Sequence, residues 1–347
     1  MKKSELQNLR RYAGDLSGLY GMLDFTFNEG NAKGMRAIQL SNGKGLSAVL
    51  LPDRCLDIPF CNYKGVNLGL VLNQGLCAPG LFSDDDGRGF NRQFYGGLLT
   101  TCGLFNAGPP CEDDGRMHAM HGRIHNIPGE NINKEEITDG DDIVLQVSAE
   151  MREASLFGEH VVLMRQIKME TESNRLIITD TVENRGFEPV PLCILYHFNF
   201  GYPLLDSGAK LHFSTTDVEP RNETAAAGLS KYNLIEEPEM GRPEECFIHT
   251  GGTGMQFGML HNEKLGMAVA VHYNIDELPL FCQWKNMMSG DYALGLEPSA
   301  AGFYGLKNAR EKGLVRFLES GKSQSYEVCI EVIDDSDRIS GLATQCE

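Results

Sequence analysis

The apolar segments of this chain are short, and this constrains its fold more than any other feature. They run for four to eight residues and are interrupted by glycine, asparagine and aspartate. Such segments are typical of β-strands joined by turns. Apolar and polar residues alternate in "RQIKMETES" (165–173) and "YEVCIEV" (326–332), as on strands with one solvated face. The sequence therefore predicts an all-β, mostly antiparallel protein.

Individual strands can be assigned from the same pattern. The segment "MRAIQLSNGKGLSAVLLP" (35–52) predicts two strands around a turn at Asn42-Gly43, because Asn-Gly suits the positive φ angles of a tight hairpin. Helical periodicity is confined to residues 4–20 and a short segment near residue 308. Further strands are predicted at residues 142–151, 160–170, 175–184, 190–201, 266–274 and 325–334.

The chain contains no visible internal repeat and no linker-like tract. We therefore predict one large β domain over residues 1–347, in which residues 1–25 form a helical or irregular N-terminal extension. A two-domain α/β arrangement would need helices that the pattern does not provide. The edge of a large sheet could also pair between two copies, so a homodimer is compatible with this prediction.

Charge and cysteine content narrow the classes of partner. There are 48 acidic and 31 basic residues, which gives a formal net charge of −17, and no cluster of lysine and arginine. This argues against nucleic acid or an anionic membrane as partner and favours a small molecule. The N-terminus lacks an apolar signal core and no window has about 18 apolar residues, so we expect a cytoplasmic protein. Ten scattered cysteines without a C-x-x-C pair indicate reduced thiols.

Three of the nine histidines lie in "HAMHGRIHN": His118, His121 and His125. On a helix this spacing would suit zinc ligands. The nearby Gly-Pro-Pro at 108–110 and Pro128-Gly129 favour a loop instead. Three interpretations remain open: a metal site, structural histidines, or a single functional histidine at His121. Of the three we favour the functional histidine at His121, and we predict no metal and no cofactor.

Two other residues stand out because of the strands that carry them. His197 ends the apolar and aromatic strand "CILYHFNFGYP", where both ring nitrogens need partners if the side chain is buried. Glu297 lies in the apolar strand "YALGLEPSAAG". Burying a carboxylate is costly, and its pKa then rises towards values useful for proton transfer. Glu297 is thus a stronger indicator of a site than either histidine alone.

Taken in order, several segments resemble the galactose-mutarotase-like superfamily, in particular its bacterial aldose 1-epimerase-related branch. They are "RAIQLSNGKGLSAVLLPDRCLDI" (36–58), "GLLTTCGLFNAGPP" with "MHGRIHNIPGE" (97–130), "VENRGFEPVPLCILYHFNFGYP" (182–203), "CQWKNMMSGDYALGLEPS" (282–299) and "LVRFLESGKSQSYEVCIEVID" (314–334). The resemblance implies a large β-sandwich of the supersandwich type that binds a carbohydrate on one sheet.

The resemblance also implies roles for the three residues singled out above. Glu297 corresponds to the base that takes the anomeric hydroxyl proton, and His197 to the acid that protonates the ring oxygen. His121 corresponds to the histidine that holds the ring-oxygen side of the sugar. Ring opening of a hemiacetal needs such an acid and base, without metal or cofactor.

Further residues are candidates for contacts with the sugar. Arg92, Asn106, Arg123 and Lys285 could bind hydroxyls or an anionic group, and Trp284 could stack on a sugar face. The family's sugar-binding aspartate has no clear counterpart between His197 and Glu297, where Asp217 and Asp276 are candidate substitutes without motif support.

These departures leave the substrate open and keep three functions in view. The first is an aldose 1-epimerase-like enzyme. The second is a carbohydrate-binding or sensing protein without efficient catalysis. The third is a sugar isomerase, either one acting on an acidic or phosphorylated sugar or a metal-dependent one using His118, His121 or His125.

Overall fold

The computed structural model describes residues 1–346, in which β-strand residues greatly outnumber helical ones. In chain order the strands are β1 (Gly21–Thr26), β2 (Arg36–Ser41), β3 (Leu46–Leu51), β4 (Asp57–Tyr63), β5 (Val66–Asn67), β6 (Leu70–Val71), β7 (Gly96–Gly97), β8 (Leu99–Cys102), β9 (Cys111–Asp113), β10 (Arg116–His118), β11 (Glu130–Asp139), β12 (Asp142–Ala154), β13 (His160–Glu170), β14 (Arg175–Asn184), β15 (Val190–Leu192), β16 (Leu195–Phe200), β17 (Lys210–Phe213), β18 (Asp217–Pro220), β19 (Glu245–Thr250), β20 (Met255–Asn262), β21 (Met267–Asn274), β22 (Leu280–Asn286), β23 (Ala293–Ser299), β24 (Arg316–Leu318) and β25 (Ser323–Ile333). The α-helices are α1 (Lys3–Leu9), α2 (Phe90–Gln93), α3 (Glu223–Gly228), α4 (Leu306–Glu311) and α5 (Ser336–Thr344).

Two large antiparallel sheets contain most of these strands. The first has the order β1-β2-β3-β4-β8-β16-β23-β22-β19-β18, with β5 paired to β4. The second has the order β11-β12-β13-β14-β25-β21-β20-β17. Three two-stranded pairs, β9 with β10, β15 with β24 and β6 with β7, complete the sheets. The prediction of a large, mostly antiparallel β-sandwich is confirmed.

The main hydrophobic core lies between the two large sheets. It joins Leu40 and Leu50 of the first sheet to Leu145, Ile167 and Ile178 of the second. Because successive strand residues point to opposite faces, the alternate residues of the first sheet face away from this core. A second apolar cluster covers that outer face, and it includes Leu195, Cys246, Cys282, Phe90 and Phe94. The outer face is where the candidate site lies.

A buried ionic network ties the two sheets together. Arg165 on β13 is fully buried and binds Asp180 on β14 through Nε and Nη2, at 2.9 and 2.6 Å. Its Nη1 lies 3.1 Å from the Asp57 carboxylate and 2.7 Å from the Thr101 hydroxyl in the first sheet. Tyr196 donates its hydroxyl to Asp180 at 2.8 Å. The network therefore fixes the strand that carries His197 against the opposite sheet.

Most of the strands predicted from the sequence are present, and the main differences lie at the N-terminus. Helix α1 is shorter than the predicted helical segment, because turns follow it and residues 21–25 belong to β1. Strand β1 pairs with β2 at the edge of the first sheet, so this part of the predicted extension is sheet and not helix. The helix near residue 308 is α4. None of the helices within residues 1–346 combines the length and apolar character needed to cross a bilayer.

Candidate active site

A cavity of about 530 Å³ lies on the outer face of the first sheet. Its floor is formed by the neighbouring strands β16, β23, β22 and β19, which lie at the inner part of the sheet order. The volume is within the range of small-molecule sites. Its lining residues include Phe90, Phe94, His121, His197, Arg221, Glu244, Cys246, Cys282, Gln283, Trp284, Glu297, Phe303 and Tyr304.

Strand alternation explains why His197 and Glu297 reach this cavity. On β16 the neighbours Tyr196 and Phe198 belong to the core between the sheets, so His197 points to the opposite face. On β23 Leu296 points into the core and Glu297 points out. His197 Nδ1 lies 3.2 Å from Glu297 Oε1. This contact lacks hydrogen-bond geometry, and neither atom has another hydrogen-bond partner within residues 1–346.

Burial controls the protonation of this pair. Desolvation raises the pKa of Glu297 well above its usual value, with a smaller contribution from the Glu244 carboxylate. Desolvation also lowers the pKa of His197 well below its usual value, and His121 lowers it further. Both effects favour neutral side chains, because a charge in an apolar cavity loses its hydration. Near neutral pH the pair therefore carries one ionisable proton, which is held by the Glu297 carboxyl.

A glycine two residues before Glu297 gives the carboxyl group its position. Gly295 lies on the same face of β23, and a Cβ atom there would overlap Glu297 Oε1 and approach Trp284 Cβ to 3.1 Å. The carboxyl group thus occupies the space that any larger residue at position 295 would fill. Glycine at position 295 therefore leaves room for the Glu297 carboxyl in its present position.

His121 is contributed by the loop that follows β10. Its φ angle is +55°, in the left-handed region, and its backbone N–H donates to Gly108 O at 2.9 Å. Gly122, with φ of +70°, must be glycine because a Cβ there would overlap the backbone carbonyl of Gly103. The Nδ1 atom of His121 accepts a hydrogen bond from the Gly108 N–H at 3.3 Å. Desolvation lowers the pKa of His121 to about 4.

Aromatic rings hold the two histidines together. The rings of His121 and His197 lie 5.6 Å apart, centroid to centroid, in an edge-on arrangement. Phe90 packs against His121 at 4.6 Å, and Phe94 packs against His197 at 5.1 Å. Trp284 contacts His197 edge-on at 5.5 Å. Glu297, His197, His121 and Trp284, all predicted from the sequence, therefore meet at one cavity.

A second polar group in the cavity was not predicted from the sequence. Arg221 follows β18 and donates through Nη2 to Glu244 Oε1 at 2.9 Å. The other oxygen of Glu244 accepts the indole N–H of Trp284 at 2.8 Å. The Arg221 guanidinium also lies 5.4 Å from the Phe303 ring centroid. Arg221, Glu244 and Trp284 therefore form one connected wall with donors and acceptors beside an aromatic face.

Four predicted substrate-binding residues do not line this cavity. Arg92 is exposed and donates to Asp85 at 2.9 Å. Asn106 is fully buried and binds the backbone of Pro109, Ala119 and Leu306. Arg123 lines a different and larger groove.

Lys285 is the fourth of these residues, and its side chain points away from the cavity. It is buried and donates to Lys231 O at 3.1 Å and to Glu236 at 3.2 Å. Trp284, its neighbour on β22, already faces the cavity, so Lys285 must face the opposite side. The two carboxylates considered as substitutes for the family's aspartate, Asp217 and Asp276, are exposed and lie outside the cavity.

The other two histidines of the His118–His125 segment lie apart from His121. His125 is buried beside Phe90, and His118 is on β10 and lines the larger groove. Desolvation lowers the pKa of both. Within residues 1–346, no three His, Cys, Asp or Glu side chains are grouped closely enough to hold a metal ion. The segment therefore supplies one histidine to the cavity.

Comparison with known structures defines the class of this fold. A protein from Klebsiella pneumoniae described as a candidate aldose 1-epimerase superposes with a TM-score of 0.87 at 18% identity, over 95% of this chain and 91% of that one. A galactose mutarotase-like protein from Clostridium acetobutylicum gives 0.65 at 14% identity, over 92% and 100%. A galactose 1-epimerase from Lactobacillus acidophilus gives 0.58 at 13%, over 90% and 99%. The fold is that of these galactose mutarotase-like proteins, as the sequence motifs predicted.

The chain can also be assigned to a particular family. The model of the family described as "Domain of unknown function (DUF4432)" matches residues 32–332, and the chain belongs to it. No curated protein sequence matches the chain. The three structures described above are 13–18% identical to the chain, so they establish the fold alone.

Proposed function

We propose that the protein is an aldose 1-epimerase-like enzyme that interconverts the anomers of a sugar by acid–base ring opening. The observation that carries this proposal is the contact between the His197 imidazole and the Glu297 carboxyl in a cavity with room for a monosaccharide. Opening a cyclic hemiacetal removes a proton from the anomeric hydroxyl and adds one to the ring oxygen. An adjacent carboxylate and imidazolium can perform both transfers.

The reactive form of the pair depends on which of the two residues, Glu297 or His197, holds their one ionisable proton. Burial favours the neutral carboxyl and the neutral imidazole. Moving the proton from Glu297 Oε1 to His197 Nδ1 produces the carboxylate and the imidazolium without any proton from solvent. The two atoms lie 3.2 Å apart, and the bound sugar would bring them into hydrogen-bond alignment. Hydrogen bonds from a bound sugar would stabilise this charged form. Glu297 then takes the anomeric hydroxyl proton, His197 protonates the ring oxygen, and rotation about the C1–C2 bond precedes closure.

His121 is assigned an orienting role in this proposal. Because burial lowers its pKa to about 4, its ring is neutral at physiological pH. With Nδ1 occupied by the Gly108 N–H, Nε2 carries the proton and can donate a hydrogen bond to the sugar. A neutral donor beside His197 also avoids repelling the imidazolium that forms during the reaction.

The remaining walls favour a neutral sugar over an acidic or phosphorylated one. Arg221 is the only lysine or arginine among the cavity-lining residues within the described part of the chain. Its charge is paired with Glu244, so an anionic substrate would have to compete with that carboxylate. A guanidinium and a carboxylate side by side suit the vicinal hydroxyls of a sugar, and Trp284 and Tyr304 offer ring faces for its C–H groups.

The proposal can be tested by exchange spectroscopy between α and β anomers. Wild-type protein should accelerate exchange of at least one neutral aldose, and Glu297→Gln should reduce the rate by about 10²–10⁴-fold, because it removes one proton transfer. Glu153→Gln is the matched control, since Glu153 is also a buried glutamate but lies outside the cavity. It should retain full activity.

The outcomes separate the competing functions. A fully active Glu297→Gln protein would refute the mechanism. Saturable sugar binding by wild type without faster anomer exchange would identify a binding protein. Faster anomer exchange of uronic acids or sugar phosphates alone would refute the proposal that the substrate is a neutral sugar. Metal-dependent isomerisation that chelators abolish would replace the proposal altogether.

A further inference from the structure

A groove of about 1660 Å³ lies apart from the candidate active site. It is bordered by the β9–β10 hairpin, the β12–β13 turn, the segment 184–191 and helix α4. Its rim carries large apolar side chains that are open to solvent. Phe157 is 99% exposed, Phe187 is 93% exposed and Leu156, beside Phe157 in the turn, is 86% exposed. Met117 and Phe317 add two further apolar side chains to the same groove.

We propose that this groove is the interface of a two-fold homodimer in which the β12–β13 turn of each copy inserts into the groove of the other. The proposal does not depend on the catalytic function. A two-fold interface places the same patch of each copy against itself, so the patch must contain both a projection and a recess. The turn that carries Leu156 and Phe157 is the projection, and the groove beside it is the recess.

The charges around the groove favour a second copy as the occupant. Five arginines and seven acidic residues line it, and burial raises the pKa of one of the acids, Glu153, to about 8. The groove is therefore nearly balanced in charge at neutral pH, whereas the whole chain has a net charge of −17. Two copies repel each other across acidic faces, and they meet with least repulsion where charges balance.

Some groove charges also lack partners in the single chain. Arg123 is exposed and forms no direct ion pair with a carboxylate of residues 1–346, although it lies close enough to the buried Glu153 for its charge to lower the pKa of that group. Asp86 and Asp114 are exposed carboxylates on the same groove, likewise without an ion pair to any of the described residues. Two-fold symmetry would bring the arginine of each copy towards carboxylates of the other, so that each contact forms twice.

The apolar area is consistent with a stable dimer. A buried phenylalanine contributes on the order of 150–250 Å². Leu156, Phe157 and Phe187, together with the partly exposed Met117 and Phe317, would thus remove on the order of 600 Å² per copy from water. A standard interface takes about 800 Å² from each partner. The polar groove walls can supply the remainder.

The test is the molecular mass in solution, measured by sedimentation equilibrium at about 10 µM, a concentration at which interfaces of this size associate. Wild type should have twice the chain mass of 38.4 kDa. The double variant Phe157→Ser/Phe187→Ser should be a monomer. Both side chains are almost fully exposed in the single chain, so the circular dichroism spectrum and melting temperature of the monomer should show a folded protein.

The matched control replaces two similarly exposed large side chains that lie outside the groove. Tyr12 is 84% exposed and Met240 is 88% exposed. The variant Tyr12→Ser/Met240→Ser should remain a dimer. Wild type that is monomeric throughout, a dimer that survives the Phe157/Phe187 variant, or a control that dissociates equally would each refute the proposal.

A second measurement locates the interface directly. Amide hydrogen exchange of wild type should slow in the segments 155–159 and 184–191 when the protein concentration is raised, and the Phe157/Phe187 variant should show no such dependence. Concentration-dependent protection confined to other segments would place the interface elsewhere and overturn the proposal.

Discussion

Replacing Glu153 by glutamine should stabilise the protein at neutral pH. Glu153 lies on β12 opposite Val161, and it is buried at the groove, with Oε2 lacking a hydrogen-bond partner within residues 1–346. Desolvation raises its pKa from 4.5 to about 8, although the Leu104 N–H and the Arg123 charge act in the opposite direction. Its carboxyl therefore stays protonated in the folded chain at pH 7, while in the unfolded chain it ionises.

The size and sign of the effect follow from this difference in pKa. Below about pH 4.5 both states are protonated, and the stability associated with the neutral carboxyl is fully present. As the pH rises towards 8 the unfolded state loses its proton first, so the free energy of unfolding falls by about 1.36 kcal/mol per pH unit. Between pH 4.5 and pH 7 the loss is about 3 kcal/mol. Glutamine has nearly the same shape and does not titrate, so the variant avoids this loss.

Urea unfolding of wild type and Glu153→Gln between pH 4.5 and pH 9 measures this effect. Both proteins are compared at one protein concentration, so that any association contributes equally. The difference in the free energy of unfolding should grow with pH in favour of the variant and level off above about pH 8. A difference in the free energy of unfolding between glutamine and a protonated carboxyl that does not depend on pH shifts the whole curve but leaves its dependence on pH unchanged. Parallel curves for the two proteins would refute the reasoning.

Three further predictions concern the site and the core. Gly295→Ala should displace the Glu297 carboxyl and slow anomer exchange at least about 100-fold, with little change in melting temperature. The value of kcat/KM should not change with pH near neutrality and should fall only well below pH 6.5, where His197 becomes protonated while Glu297 keeps its proton. A fall in kcat/KM centred near pH 6.5 would contradict this prediction. Arg165→Met should lower the free energy of unfolding by about 3–5 kcal/mol in urea titrations, because it leaves Asp180 buried without its partner.

Two substitutions serve as controls for these predictions. Gly341→Ala places a methyl group where nothing lies within 4 Å, so it should leave the exchange rate unchanged. If it slowed exchange as much as Gly295→Ala, the positional argument would fail. Arg36→Met removes an exposed ion pair with Asp53 and should cost about 1 kcal/mol or less. An equal loss for Arg165→Met would show that the buried network contributes little.

The part of the site that the sequence predicts well lies on regular strands. In "CILYHFNFG" and "YALGLEPS" a single titratable residue interrupts an apolar strand, and this local contrast identified His197 and Glu297. Burial shifts the pKa of both side chains, and burial can be inferred from the flanking residues. The face that each side chain occupies follows from the period of two.

The same periodicity could have excluded one of the incorrect expectations. Trp284 and Lys285 are adjacent on β22, so only one of them can face the cavity. Asn106 was also misinterpreted, because a polar residue in a glycine-rich loop can equally satisfy backbone groups, and here it binds three of them. For Arg92 and Arg123 no local signal was available, since the direction of a long side chain on a loop depends on the packing of distant segments.

Arg221 and Glu244 illustrate what a single sequence conceals. They are separated by 22 residues that include α3, and neither interrupts an apolar strand. Pairing of β18 with β19 brings them together, and the Arg221 N–H donates to Cys246 O at 2.9 Å just beyond the paired residues. Trp284 then completes the group because β19 also pairs with β22, with Cys246 directly opposite Trp284. The proposed catalytic pair depends on the character of two strands, whereas the wall formed by Arg221, Glu244 and Trp284 depends on the register among three. Substrate preference in this family should therefore change through the β18–β19 connection while His197 and Glu297 stay in place.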